Sequence, residues 1–448
     1  MVKEYDLLVI GTGSAGSITA TKCKKEGWSV AIIDDRPFGG TCSQRGCDPK
    51  KVLVENAELM DWNKRMQGKG IEEDSKINWP ELMEFKRTFV QTIPEDTEEK
   101  FGKLGIDIYH GKAVFQSETE LKVCSDVLKG KHILIATGAE PMKMNIEGEE
   151  YLTLSDDFME LETLPKKIVF IGGGFISFEF AHLAARAGSE VHILHRSESA
   201  LKKFDQDLVK MLIKRSEEVG IHVHLNTPVN GIEKCGNSFV VKGEQDDRQV
   251  EWKADLVVHG AGRTPALDID LEKGNVKRDK QGVSVNEYMQ SVSNPHVYAA
   301  GDVASNDAPP LTPVATIESH IVASNLLKGN HKTADYPVVP SVVYTVPKLS
   351  SVGMSEQEAK DSGLKVYVKS QNITEWFTYR QTNEGAAAFK VIIDQEKDVV
   401  LGAHFLGGGA DELINLFAIA IRFQIPLAEL KRMPFAYPTA ASDISYML

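Results

Sequence analysis

The chain has 448 residues, 64 acidic against 51 basic side chains and a formal net charge of −13. That length calls for two to four domains, and 42% hydrophobic residues supply ordinary globular cores. The acidity, without any basic tract of five or more residues, excludes nucleic acid and anionic membrane as natural partners, and no run of about 18 apolar residues exists to form a membrane span.

The opening MVKEYDLLVIG reads as a short buried strand entering a glycine loop, not as a secretory signal. The first unit, YDLLVIGTGSAGSITATKCKKEGWSVAIIDD, has the order strand, Gly11-x-Gly13-x-x-Gly16, helix, second strand ending at Asp34. A dinucleotide site requires that order: the glycines allow the turn, the close approach of a pyrophosphate and tight helix–strand packing, and the carboxylate accepts from ribose hydroxyls. Cys42 and Cys47 follow in GGTCSQRGCDPKK, residues 39–51. A regular helix would separate them by ~7.5 Å, beyond the ~6.8 Å limit for bridged α-carbons, so the backbone must bend between them. Gly46 permits the bend, and Pro49 suits the first turn of a following helix, which leaves Cys47 at a helix N-terminus. The helix dipole and the cations Arg45, Lys50 and Lys51 favour thiolate there. A structural disulfide is the weaker reading, because so short a loop removes little unfolded-state entropy. Five cysteines, an odd and sparse set, fit a reducing cytoplasm with one working pair.

The stretch from Trp62 to Val90 predicts two helices joined by a polar loop through Gly68, Gly70 and Asp74. ILIATGAEP (133–141) and VVHGAGRTP (257–265) are apolar strands that end in small-residue turns. Between them a second nucleotide unit, KKIVFIGGGFISFEFAHLAARAGSEVHILHR, places Gly172 and Gly174 at the first two glycine positions and Ser177 at the third. Its second strand runs into His195 and Arg196, with Lys202 and Lys203 beyond. Cations there suit a 2′-phosphate and predict NADPH over NADH; solvated surface charges are the bland alternative. In VYAAGDVAS, Asp302 ends another strand, where by itself it is a turn or cap residue.

Together these features resemble the flavoprotein pyridine nucleotide–disulfide reductases of the glutathione reductase, dihydrolipoamide dehydrogenase and mercuric reductase group, over nearly the whole chain. The resemblance implies an α/β fold with two Rossmann-like domains, for FAD and NADPH, and a C-terminal α+β dimerisation domain. The corresponding division is 1–146 and 267–336 for FAD, 147–266 for NADPH and 337–448 for the interface. It implies that Gly11, Gly13, Gly16, Asp34, Gly40, Thr41, Thr137 and Gly138 hold FAD, with Asp302 on the ribityl chain. Gly172, Gly174, Phe175, Ile176, Arg196, Lys202 and Gly262 would hold NADPH, Phe175 standing where many members carry a tyrosine gate. Cys47 would be the flavin-side thiol and Cys42 the interchange thiol, with Lys50 paired to Glu179. A homodimer sharing its active sites is implied, and no metal.

One departure is chemical. The family's C-terminal HPTxxE reads YPTAASD here, with Tyr437 for the histidine and Ser442 for the glutamate, and no histidine follows His404. A phenol with a pKa of about 10 is a poor resting base but a usable acid. Disulfide reduction, which needs an acid for the departing thiolate, is therefore favoured over dithiol oxidation of the dihydrolipoamide dehydrogenase kind. Thr21 stands where glutathione reductases place a substrate-binding arginine, and the chain ends SYML without an added cysteine pair. The expected activity is NADPH-dependent reduction of a small disulfide or oxidised sulfur compound. A flavin reductase of metal ions or quinones and a redox sensor without turnover are the alternatives.

Overall fold

The computed structural model describes residues 2–336 and 338–448. Two compact units divide the chain, one from Met1–Lys50, Phe85–Met142 and Arg263–Tyr336, the other from Lys51–Glu84, Lys143–Gly262 and Pro337–Leu448.

In the first unit four parallel strands lie in the order Asp107–His110, Val30–Asp34, Lys3–Ile10 and Asp126–Ile135, and Val297–Ala299 adds a parallel pairing to the end of the last. Leu7 to Ile10 register against Val30 to Ile33 on one side and His132 to Ile135 on the other. The apolar runs of the sequence are explained by burial on both faces: Leu7, Leu8, Val9, Ile32, Ile33 and Ile133 are inaccessible to solvent. Helices Ser14–Lys25 and Thr312–Lys328 belong to this unit, tied where Thr19 Oγ1 donates to the Ser319 carbonyl at 3.2 Å.

The second unit repeats the motif with strands Ile221–His224, Glu190–Leu194, Lys167–Ile171 and Leu256–His259, all parallel, and adds a three-stranded meander over Val229–Ala254. Its C-terminal part is a five-stranded antiparallel sheet carrying helix Ala410–Arg422. Leu413, Ile414, Phe417 and Ala420 of that helix are buried, at the spacing that makes one helical face. The expected helix pair is present as Cys47–Met66 and Trp79–Val90. Among the described residues no helix is long and apolar enough to cross a membrane.

A buried ionic cluster joins three parts of this unit. Asp61, on the helix begun by Cys47, meets Arg65 Nε and Arg186 Nη2 at 2.7 Å each and Arg215 Nη2 at 3.5 Å, while Arg65 Nη1 reaches Glu384 at 3.2 Å. Burial and the neighbouring Asp61 charge raise the Glu384 carboxyl to about 7, although Arg65 and Arg215 oppose this. Replacing Asp61 by Ala leaves three guanidinium groups without their shared carboxylate. We expect a loss of about 3–5 kcal/mol in denaturant unfolding; a stability within about 1 kcal/mol of the parent would show the cluster to be energetically neutral.

On the parallel sheet His192 stacks between His222 and His224, with ring centroids 4.9 and 5.3 Å away, and its Nδ1 lies 3.0 Å from His224 Nε2. Burial first, then the other two rings, lowers the His224 pKa to about 4 from its ordinary 6.5. A depressed folded value favours the neutral ring, so its contribution to stability is complete above pH 6.5 and is lost as pH falls towards 4. His224→Gln should flatten that acid limb in thermal unfolding followed against pH.

Candidate active site

The first glycine loop leaves its strand at Gly11, whose φ is +105°; a β-carbon there would stand 2.2 Å from the Ala136 carbonyl oxygen. At Gly16 the added atom would meet the Gly11 carbonyl oxygen at 2.0 Å, which fixes how closely helix Ser14–Lys25 approaches the strand. Gly13 caps that helix without a side chain, which leaves its first amides uncapped by any side chain and suited to a pyrophosphate. Asp34 Oδ2 accepts from Thr12 N at 2.8 Å and Thr12 Oγ1 at 2.6 Å, and Oδ1 from Arg36 N at 3.0 Å. Gly40 lies against the same loop, where a β-carbon would stand 2.4 Å from the Gly13 α-carbon. Thr41 follows it in helix Gly40–Arg45. Thr137 gives its hydroxyl to the Ala266 carbonyl at 2.7 Å, and Gly138 accepts from Ala266 N. Asp302 is pushed up by burial against the pull of Arg263. This cradle of backbone amides, with carboxylates at two strand ends, fits a dinucleotide with a polyol arm.

The thiols occupy the same unit. Helix Gly40–Arg45 ends at Gly46, with φ −140° and ψ −117°, and the next helix starts at Cys47. A β-carbon on Gly46 would meet the Thr41 carbonyl oxygen at 2.8 Å and the Cys42 α-carbon at 3.1 Å. The bend is therefore also a close contact. Cys42 and Cys47 are not joined in a disulfide, and Thr312 Oγ1 is near both, donating to Cys42 Sγ at 3.2 Å and lying 3.8 Å from Cys47 Sγ. The Cys42 pKa is raised, first by its hydrogen bond with Cys47 and then by burial, with Thr312 acting the other way. Lys50 is buried one turn beyond Cys47, on the same helical face.

In the second unit Gly172, with φ +114°, crosses the Gly260 carbonyl, and Gly174 caps helix Phe175–Arg186. Ser177 fills the third glycine's place with its Oγ 1.9 Å from where a Gly260 β-carbon would be, so the absent side chain has moved to the facing strand. Phe175 is half exposed at the helix start and Ile176 is partly buried beside it. Gly262 has φ +120°. Glu179, buried in this helix, accepts from Tyr344 N at 2.8 Å and lies 3.9 Å from Lys51 Nζ.

The expected cluster of cations needs one correction. His195 Nδ1 accepts from Gly173 N at 3.0 Å, Nε2 lies 3.0 Å from the Ser199 carbonyl, and burial lowers its pKa, so it is a neutral brace of the loop. Arg196, Lys202 and Lys203 are exposed. At the C-terminus Tyr437 is 82% exposed ahead of a cis Pro438. Ser442 donates to the Thr439 carbonyl at 2.6 Å and so caps its own turn. Thr12, Gly260 and Thr312 were not singled out from sequence. Thr12 alone carried a signal, lying inside the glycine motif.

Known proteins resemble this chain along nearly its whole length. Residues 5–319 match the pyridine nucleotide-disulphide oxidoreductase family and residues 339–447 its dimerisation domain. The chain belongs to that family: it is a flavoprotein disulfide oxidoreductase, acting on sulfur groups with FAD and a nicotinamide nucleotide as cofactors. It is similar to glutathione reductase of Schizosaccharomyces pombe, with 30% identity over 459 residues covering 99% of this chain and 98% of that one. A 19.7 kDa protein of a mercuric resistance operon in Staphylococcus aureus is 65% identical over 180 residues, 40% of this chain and all of that protein. In structure the chain is similar to the Cu(II) complex of the HOCl-induced flavoprotein disulfide reductase RclA from Escherichia coli. The TM-score is 0.88 at 26% identity, with 100% and 99% of the two chains covered.

Gly46→Ala should force the two helices apart at the thiols. In a glutathione redox buffer, thiol titration is expected to show about a tenfold smaller equilibrium constant for closing Cys42 on Cys47. An unchanged constant would mean that the contact at Thr41 yields without moving either sulfur.

Proposed function

We propose that the protein is a cytoplasmic homodimeric NADPH:disulfide reductase whose electrons leave through Cys42 and Cys47. The observation that carries this reading is the pair of thiols meeting at one Thr312 hydroxyl, beside a loop shaped for a dinucleotide. The net reaction is NADPH + H⁺ + RSSR → NADP⁺ + 2 RSH. A bound flavin would supply hydride acceptance from the nicotinamide and return an electron pair to the protein disulfide. This chain's own residues would do the rest. Cys42 Sγ attacks one substrate sulfur and the first thiolate leaves; Cys47 Sγ then attacks Cys42 Sγ, releasing the second thiolate and restoring the disulfide. Tyr437 of the opposite subunit, well exposed on its own chain, would protonate the leaving thiolate.

NADPH binding would use Gly172, Gly174, Ile176 and Gly262 for the pyrophosphate side, Phe175 as the gate, and Arg196 with Lys202 for the 2′-phosphate. Lys50, as the cation beside Cys47, would pair with Glu179. On the flavin side Gly11, Gly13, Gly16, Gly40 and Thr41 would take the pyrophosphate, Asp34 the ribose, and Thr137, Gly138 and Asp302 the remainder. Substrate choice is open to small disulfides and oxidised sulfur compounds.

A second reading, reduction of a thiophilic metal ion as substrate, is favoured by one observation, the 65% identity to a protein of a mercuric resistance operon. One experiment separates the two. The holoenzyme is reduced anaerobically with one equivalent of NADPH and then offered small disulfides, Hg(II), Cu(II) or a quinone while its visible spectrum is followed. Discharge of a long-wavelength thiolate–flavin band by a disulfide, abolished in Cys42→Ser, is expected; reoxidation by a metal ion or quinone alone would sink the disulfide assignment. Tyr437→Phe should slow disulfide turnover without changing formation of that band. In Arg196→Ala/Lys202→Ala the KM for NADPH should rise at least about tenfold, with NADH little affected. Equal losses for the two nucleotides would reject the 2′-phosphate contact.

A further inference from the structure

Glu318 lies in the interior of helix Thr312–Lys328 and is 1% exposed, an uncommon place for a carboxylate. Three donors from three parts of the first unit converge on it. Gly301 N donates to Oε2 at 2.5 Å, and Asn306 Nδ2 and Tyr336 OH each donate to Oε1 at 2.7 Å. Burial raises its pKa, as does the nearby Asp302 charge, while all three donors favour the charged form. The carboxylate thus faces a full set of donors and acts as a three-way clamp.

What it clamps is the turn that leaves strand Val297–Ala299. Gly301 has φ +77°, in the left-handed region, and its amide is the group held by Glu318. Its α-carbon faces Ala15 of the first glycine-loop helix and Ala315 of Glu318's own helix, since a β-carbon on Gly301 would lie 3.6 and 3.5 Å from theirs. Asp302, the next residue, therefore continues directly from a backbone turn that a buried carboxylate holds.

We propose that Glu318 is a positioning residue for the flavin: through Gly301 it fixes the direction of Asp302 towards the polyol chain of FAD. The inference rests on Asp302 being the polyol ligand. Glu318 does not touch the cofactor; it holds the turn that does, and Asn306 and Tyr336 hold Glu318. A glutamine at 318 cannot satisfy the same set. Whichever way its amide is turned, its NH₂ faces either the Gly301 N–H or the Asn306 and Tyr336 donors.

The test compares full-length holoenzymes carrying Glu318→Gln, Tyr336→Phe and Asp302→Asn with the parent. It measures the rate of FAD release by recovery of flavin fluorescence, the reduction potential of the bound flavin, and the melting temperature. Expected are FAD release at least about tenfold faster in Glu318→Gln, a several-fold effect in Tyr336→Phe, and a flavin potential displaced in the same direction as in Asp302→Asn. A Glu318→Gln holoenzyme that melts earlier but keeps the parental release rate and potential would mark Glu318 as merely structural and overturn the proposal. If Glu318→Gln does not fold, Tyr336→Phe decides: parental FAD release in that variant rejects the clamp. Parental release and potential in Asp302→Asn would instead remove the polyol contact itself, and the inference with it.

Discussion

A single missing side chain governs the redox site. At Gly46 two helices meet with no room for a β-carbon between the bend and the Thr41 carbonyl. Because the first helix ends there and a new one begins, Cys42 and Cys47 can share one hydroxyl partner although five positions apart. The same break gives Cys47 the N-terminus of a 20-residue helix and places Lys50 one turn behind it. Chain geometry, dipole and cation therefore arise from one local event.

The two dinucleotide loops apply one packing rule with different residues. In the first, Gly16 faces the Gly11 carbonyl and both sides of the contact lack side chains. In the second, Ser177 brings a hydroxymethyl group into the interface, and the strand opposite compensates with Gly260. His195 adds to this: on the strand end where an acidic residue serves in the first loop, a neutral ring accepts the Gly173 amide. Asp34 braces its own loop in the same way through Thr12. Both strand-end residues hold the loop's backbone.

Local contacts were the part of this site that sequence could show. The glycine motifs, the bend at Gly46 and the helix starting at Cys47 follow from residues a few positions apart, where φ, capping and rise decide the outcome. The fully buried strands were equally plain, because parallel strands covered on both faces need continuous apolar runs. Contacts between distant segments were not visible. Thr312 reaches Cys42 across 270 positions, and nothing in LTPVAT marks that hydroxyl as facing sulfur. Glu318 reads as one more charge on a helix until Gly301, Asn306 and Tyr336 are found around it. His195 belongs with these: its acceptance of the Gly173 amide cannot be read from the strand end alone, and burial lowers its pKa further.

The C-terminal departure gains meaning from the thiol electrostatics. Contact with Cys47 and burial raise the Cys42 pKa, and the Thr312 hydroxyl opposes them. The C-terminal segment offers an exposed phenol at Tyr437, and Ser442 is occupied in its own turn. Chemistry started by deprotonating an incoming dithiol is thus poorly served. Chemistry that begins with electrons already on the sulfurs is better served, because reduction itself delivers the thiolate and the remaining demand is for an acid at the leaving group. On pKa alone, a phenol in place of an imidazole favours giving a proton over taking one.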